Sequence, residues 1–578
     1  MNVAGGELVE AAPGRNAVKQ RLFVRKGMYW RQPSSSWNGG VIDGANRIMF
    51  MAESANDGGE ATGDPNGASC MANTEDSNST TKPRKLTERM LKGAAWSGVT
   101  SIARLGLKFI SVAILARLLS PRDYGVVGGA LIAVELAAML YGLGLAQALV
   151  QRKVVERDHI ATALGVSLTL SCVIGAALWL AAPFVAALMR IEALTDVVKL
   201  LAFTTPLGAF NLICEALLVR NMRIRAVSLR PLFSFSVAGF LVAVPMAFAG
   251  FGYWSLVAMQ IAEVSVGALA FGVAARKLLV LPGFSARAFR ELWPMSLGFS
   301  LTQPFGYLVN NTPKFLIARL MGAEALGLFT RAAFLSENAG HLFNGIVRTV
   351  AFPAMAQLQN DRERLRSGFL KSLSLTALAT IPTSAFFIVF AQELVDIMLG
   401  PRWDEAVLPF ALLATSLYFR LSNRVSYAVL QALGQPYRII KNNCAVVAIL
   451  TLGILTTSDH GLASICTVVV LAFGAAFVIT VRLVSRVMEM SIGAILRAHV
   501  MPMSLALVVV AIGVGTKAML VGQSSIVILA IGTLAVMNSV LVLLYLLPEK
   551  ILVWFDVEGV RTLLSLRFAF RRFSSYSM

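Results

Sequence analysis

The stretch Ala116-Arg117-Leu118-Leu119-Ser120-Pro121-Arg122-Asp123-Tyr124-Gly125 ends one long apolar run and opens the next through a tight turn. Ala318-Arg319-Leu320-Met321-Gly322-Ala323-Glu324-Ala325-Leu326-Gly327 does the same 202 residues later. The pair reads as one corner of a duplicated unit. The equivalence carries past the turn, because Glu135 in the run after the first corner falls opposite Glu337 in the run after the second. A carboxylate inside an apolar run is costly, so its repetition calls for a reason. A parallel repeat of apolar spans is one signature of a transporter.

Composition supports that class. Of 578 residues 56% are hydrophobic and 14% charged, with a mean hydropathy of +0.69, against about 25% charged in a soluble domain. The chain is expected to be an all-α integral membrane protein. Its net charge of +19 does not indicate a nucleic-acid partner, because the cations sit in short links between apolar runs and not on a soluble basic surface. Cys70, Cys172, Cys214, Cys444 and Cys466 fall singly, with no C-x-x-C and no Cys/His cluster, so neither a disulfide framework nor a metal site is expected, and no cofactor.

Residues 1–85 are rich in Gly, Ser, Asn and Ala and offer little to bury. They read as a disordered cytoplasmic extension, or as an over-long gene start, with Met28, Met49, Met51 and Met71 as later starts. From there, apolar runs long enough for a ~30 Å hydrocarbon layer follow one another. Fourteen are predicted, near 93–118, 125–150, 160–189, 194–219, 226–249, 253–275, 292–320, 325–355, 369–391, 406–433, 439–457, 461–481, 498–520 and 524–547. If the N-terminus is cytoplasmic, the cytoplasmic links carry thirty Lys and Arg and the opposite links five, which supports that orientation and an even number of spans.

Six spans separate the corners, so both fall on the extracytoplasmic face. The expected organisation is two six-helix lobes in parallel repeat, over 86–275 (spans one to six) and 276–486 (seven to twelve), then two further helices over 487–547 and a basic cytoplasmic tail over 548–578.

No catalytic constellation stands out: His159, His341, His460 and His499 are scattered, and the outer links are short. The protein is therefore not expected to be an enzyme. What remains is charge within the spans. Arg104 and Lys108 share a face of the first, Arg420 and Arg424 a face of the tenth, while Lys314, Arg331 and Arg348 occupy the seventh and eighth. Each cation near the bilayer centre costs roughly 2.5–3.5 kcal/mol on insertion scales. This ladder suits a cationic cavity for an anionic passenger. The structural alternative is pairing with Glu135, Glu263 or Glu337, which are also the candidate coupling carboxylates. Arg117 and Arg319, at span ends, read as headgroup or turn contacts.

Several stretches resemble a known family. Besides the two corners they are Gly142-Leu143-Gly144 with Ala148-Leu149-Val150-Gln151-Arg152, Gly252-Tyr253-Trp254-Ser255-Leu256-Val257, Phe352-Pro353-Ala354, and Gly400-Pro401-Arg402-Trp403. Taken in order, over about 86–547, the chain resembles Wzx-type flippases of the polysaccharide-transporter branch of the MOP (multidrug/oligosaccharidyl-lipid/polysaccharide) exporter superfamily. The resemblance leans toward exporters of the colanic acid and succinoglycan kind. It implies a bacterial inner-membrane protein with both termini cytoplasmic. Such a protein would flip undecaprenyl-pyrophosphate-linked oligosaccharide repeats by alternating access, among membrane lipids and beside a polysaccharide polymerase and chain-length regulator. Where many relatives carry Asn-x-Asp-Asn, this chain has Asn311-Thr312-Pro313-Lys314, so a coupling ion does not carry over to that position. Alternatives of other classes are a multidrug or other amphiphile exporter of the same fold and a polysaccharide polymerase or ligase.

Overall fold

The computed structural model describes residues 83–142, 144–300, 303–346 and 362–546, all within one compact unit, Asn66–Met578. Among the described residues every regular element is helical. In chain order these are α1 Pro83–Leu118, α2 Pro121–Gly142, α3 Leu145–Gln151, α4 Arg157–Met189, α5 Leu194–Ala202, α6 Thr205–Arg220, α7 Ile224–Phe248 and α8 Trp254–Ala275. They continue as α9 Ala286–Ser300, α10 Gln303–Ile346, α11 Arg362–Val389, α12 Ala391–Met398, α13 Val407–Ala432, α14 Pro436–Thr457, α15 Leu462–Val487, α16 Ile492–Met519 and α17 Ser525–Leu546.

Nine helices among the described residues are long and apolar enough to span a membrane, ten if α5 and α6, bent by 45°, count as one. The chain is a multi-pass membrane protein. The expected spans that fall short of this measure include α1, α10 and α13, which carry the intramembrane cations. Other expected spans also have different outlines. The second, predicted over 125–150, breaks at Gly144 (φ 70°) into α2 and α3. Arg220, ending α6, donates to the carbonyls of Leu149 (2.9 Å) in α3 and Lys153 (3.0 Å) just past its end, satisfying acceptors left where that helix stops. The seventh and eighth form one helical run, α10, interrupted at Gly322 with φ 86° and ψ −171°, a conformation that only glycine adopts cheaply.

The first corner is a capping box. The Ser120 backbone N–H donates to Asp123 Oδ2 (2.8 Å) and the Asp123 N–H to Ser120 Oγ (3.3 Å), with Pro121 opening the helix between them. Asp123 Oδ1 in turn accepts from the Tyr253 N–H (3.1 Å) at the start of α8.

The two corners also meet. A methyl group placed on Gly125 would collide with the carbonyl oxygen of Ala323, and one on Gly327 with that of Pro121. Pro121 and Ala323 are themselves 202 residues apart, so the contacts are reciprocal, and the helices cross backbone to backbone as small residues permit. Around this crossing Arg117 donates to the Ile397 carbonyl (3.1 Å), Arg319 to the Leu188 carbonyl (2.6 Å) and Trp403 Nε1 to the Ala116 carbonyl (2.9 Å). The two arginines thus bind the ends of α12 and α4, each in the other half of the chain, and do not cap their own turns. Near the last helices Lys517 of α16 pairs with buried Glu393 of α12 at 2.9 Å.

Gly125→Leu or Gly327→Leu is expected to force this crossing apart at a cost of up to about 3 kcal/mol, seen as a lower unfolding temperature in detergent. Gly106→Ala, where nothing lies within 4 Å of the new methyl, should leave it unchanged or raise it.

Candidate functional site

Charged side chains from α8, α1, α10 and α13 form a continuous string. Glu263 on α8 lies 3.9 Å from Arg104 on α1, a long pair with the arginine side chain 43% exposed. One turn on, Lys108 stands over the ring of Phe334 at 4.7 Å and interacts electrostatically with Arg104, Arg331, Glu263 and Glu337. Arg331 on α10 places its guanidinium against the rings of Tyr124 (4.4 Å) and Phe334 (5.1 Å). Glu337, almost two turns further along α10, pairs with Arg420 of α13, whose guanidinium also lies 4.3 Å from the centre of the Phe473 ring.

A cavity of about 200 Å³ closes the string, lined by Asn310 and Glu337 of α10, Arg420 and Arg424 of α13, Asn443 of α14 and Phe473 of α15. Arg104, Lys108, Arg331, Arg420 and Arg424 set five cations against the two carboxylates Glu263 and Glu337, an excess of three positive charges. Aromatic faces offset part of what desolvation costs, up to about 2 kcal/mol each. Two donors remain unmatched: the Nε of Arg331 and of Arg420 is buried with no acceptor among the described residues.

Of the predicted cations, Lys314 stands apart from this string. Its Nζ donates to Asn311 Oδ1 (3.2 Å), and Asn311 Nδ2 donates to Glu135 Oε2 (3.3 Å), while Tyr307 donates to the Ile132 carbonyl (2.7 Å). These contacts tie α2 to the first part of α10. The repeat-related carboxylates therefore have different neighbours, an amide for Glu135 and an arginine for Glu337. Arg348 lies outside the described residues.

A second ionic cluster joins residues that look scattered in the sequence. The link after α8 returns to α4, where the Gly283 N–H donates to the Ala161 carbonyl (3.1 Å) and the Ser285 N–H to Thr162 Oγ1 (3.0 Å). This brings Glu291 of α9 under His159 Nε2 (3.0 Å), Arg287 Nε (3.1 Å) and Arg152. His159 Nδ1 accepts the Glu156 backbone N–H at 3.1 Å, which leaves Nε2 to carry the proton toward Glu291. The hydrogen bond from His159, then that from Arg287 and the charge of Arg152, hold the Glu291 carboxyl at about 2. Its only local signal is the Arg287/Glu291 spacing of four; the rest is tertiary.

The sequence profile described as polysaccharide biosynthesis protein matches residues 114–408, just over half of the chain. The chain belongs to this family. Over 328 residues it is 27% identical to the succinoglycan biosynthesis transport protein ExoT of Rhizobium meliloti, and over 328 residues 25% identical to the lipopolysaccharide biosynthesis protein WzxC of Escherichia coli. Each match covers 56% of this chain and 65% of the relative, just under two thirds of its length. Among solved structures, the lipid II flippase MurJ in an inward closed conformation superposes with a TM-score of 0.60 at 11% identity, over 76% of this chain and 97% of that one. An inward-facing MATE family multidrug transporter of the MOP superfamily gives 0.55 at 16% identity, over 67% and 98%. At such identities the likeness is one of fold, and it agrees with the Wzx-type resemblance of the sequence.

The Glu291 cluster carries a pH signature. Its carboxyl is depressed from about 4.3 in an unfolded chain, so the stability it contributes is fully present above that value and is lost as pH falls toward about 2. Melting of the purified protein across this window should show Glu291→Gln less stable than the parent at about pH 6, with the gap closing on acidification.

Proposed function

We propose that this protein flips undecaprenyl-pyrophosphate-linked oligosaccharide units across the bacterial inner membrane for surface or exopolysaccharide biosynthesis. The observation that carries the reading is the string of five cations against two carboxylates, ending in the cavity walled by Arg420 and Arg424. The pyrophosphate of such a substrate, esterified at both ends, is a compact dianion, and guanidinium and ammonium groups held away from bulk water bind such a group through charge-assisted hydrogen bonds. The names of the relatives, transport and biosynthesis proteins for succinoglycan and lipopolysaccharide, favour the same substrate class.

In this reading residues 86–275 and 276–486 are two six-helix lobes within a fourteen-span protein, 487–547 adds two helices, and both termini are cytoplasmic. The lobes rock about the crossing of Gly125 with Ala323 and Gly327 with Pro121, which closes the outer face. Arg104, Lys108, Lys314, Arg331, Arg348, Arg420 and Arg424 form the path of the headgroup. An arriving pyrophosphate competes with Glu263 for Arg104 and with Glu337 for Arg420, and each carboxylate it displaces is free to take up a coupling proton or cation. Glu135, held by an amide, is the third candidate. A polymerase and a chain-length regulator would take the flipped unit. Export of organic cations by the same fold is less well served, since an excess of cations repels them.

Deletion of the gene should leave lipid-linked oligosaccharide in the inner leaflet and abolish surface polymer; normal polymer would sink the proposal, and normal polymer with altered drug sensitivity would favour the exporter alternative. Arg104→Ala and Arg424→Ala should each lower export roughly tenfold or more while the protein still inserts, given ~1.5–3 kcal/mol for a hydrogen bond to a charged group. Wild-type export in both would remove them from the path.

A further inference from the structure

α14 and α15 are antiparallel neighbours, and where Pro436 begins one and Val487 ends the other they part around a cavity of about 530 Å³. α14 turns Arg438, Lys441 and Ala445 into it, at spacings of three and four that keep them on one face; α15 contributes Ile479, Leu483 and Arg486 on the same rule. The three cations lie within two turns of the helix ends. The apolar side chains of Ala445 and Ile479 lie one to two turns deeper, on the order of 10 Å along the axis at about 1.5 Å per residue. Both helices are long and apolar enough to span a membrane, which puts the cations at headgroup depth and the apolar wall beside the acyl chains.

Among the described residues nothing neutralises this charge. No carboxylate lines the cavity, and none of the three cations has an ion pair or side-chain hydrogen bond among the described residues. Glu489, three residues past Arg486, pairs instead with Arg362 at 3.9 Å. The cavity of the cation string lies against other positions of the same helices, Asn443 and Val446 of α14 and Phe473 and Ala476 of α15, and shares no residue with this one.

We propose that this groove binds an anionic phospholipid, with the phosphate held by Arg438, Lys441 and Arg486 and an acyl chain along Ala445, Ile479 and Leu483. Three converging cations above an apolar wall complement a phosphodiester attached to a hydrocarbon chain, whereas free phosphate would leave the wall unused. The proposal rests on the membrane placement of α14 and α15 and not on which substrate the protein exports.

The test uses the full chain purified in detergent, titrated with phosphatidylglycerol, phosphatidylethanolamine or inorganic phosphate and read by native mass spectrometry. Each basic residue beside an anionic headgroup contributes roughly a fivefold gain in binding. Lys441→Gln, at an exposed position, should therefore lower phosphatidylglycerol occupancy about fivefold, and Arg438→Gln, Lys441→Gln and Arg486→Gln together on the order of a hundredfold. Arg438→Lys with Arg486→Lys, which keeps the charge, should stay within about threefold of the parent. Unchanged phosphatidylglycerol binding in a triple variant that elutes and melts like the parent would overturn the proposal. So would equal binding of zwitterionic phosphatidylethanolamine, or displacement of the lipid by an equal concentration of inorganic phosphate. Because the readout is lipid bound to purified protein, failure of export leaves this result standing, and the reverse.

Discussion

A cation on a helix packed among apolar neighbours is costly unless it is answered by a partner, and much of this structure follows from how each one is answered. Arg104 and Arg420 take carboxylates from other helices, Lys108 and Arg331 take aromatic faces, and Lys314 takes an amide. None of these partners lies on the cation's own helix except Phe334, which Arg331 and Lys108 share, and Asn311. The charges therefore fix which helices stand together near the middle of the bundle. They also leave α1, α10 and α13 too polar to be secured by lipid alone, so these helices depend on protein neighbours.

The corner end of the molecule obeys a different constraint. There the backbone comes first: glycines let α2 and α10 touch, and the carbonyls exposed where α4 and α12 end are met by Arg319 and Arg117. Trp403 fills the remaining space, its nitrogen on the Ala116 carbonyl and its ring edge-to-face with Tyr124 at 5.4 Å. The two corners reach the same turn by different chemistry. One uses a Ser120/Asp123 box, the other the left-handed freedom of Gly322.

The succession of apolar helices, the position of both corners and the family were legible in the sequence, because each depends on hydropathy, turn residues or motif order. Much of the site was not. An offset of 202 residues says that Gly125 and Gly327 are equivalent, but equivalence does not say that they touch. Likewise Glu135 and Glu337 share a register position and not a partner: Asn311 answers one and Arg420 the other. The cluster around Glu291 was hidden for a plainer reason: Arg152, His159 and Glu291 are brought together by the return of the link at Gly283 onto Ala161, which no local pattern announces.

The reciprocal crossing of the corners has a consequence for how such a chain could arise. Gly125 meets Ala323 as Gly327 meets Pro121, so the surface on one half is complementary to the same surface on the other. That is the property of an isologous dimer interface, in which one patch pairs with its own copy. A half-length ancestor bearing a single corner would already have carried a patch that fits its own copy, and fusing two copies would preserve the contact while freeing each half to acquire different charges.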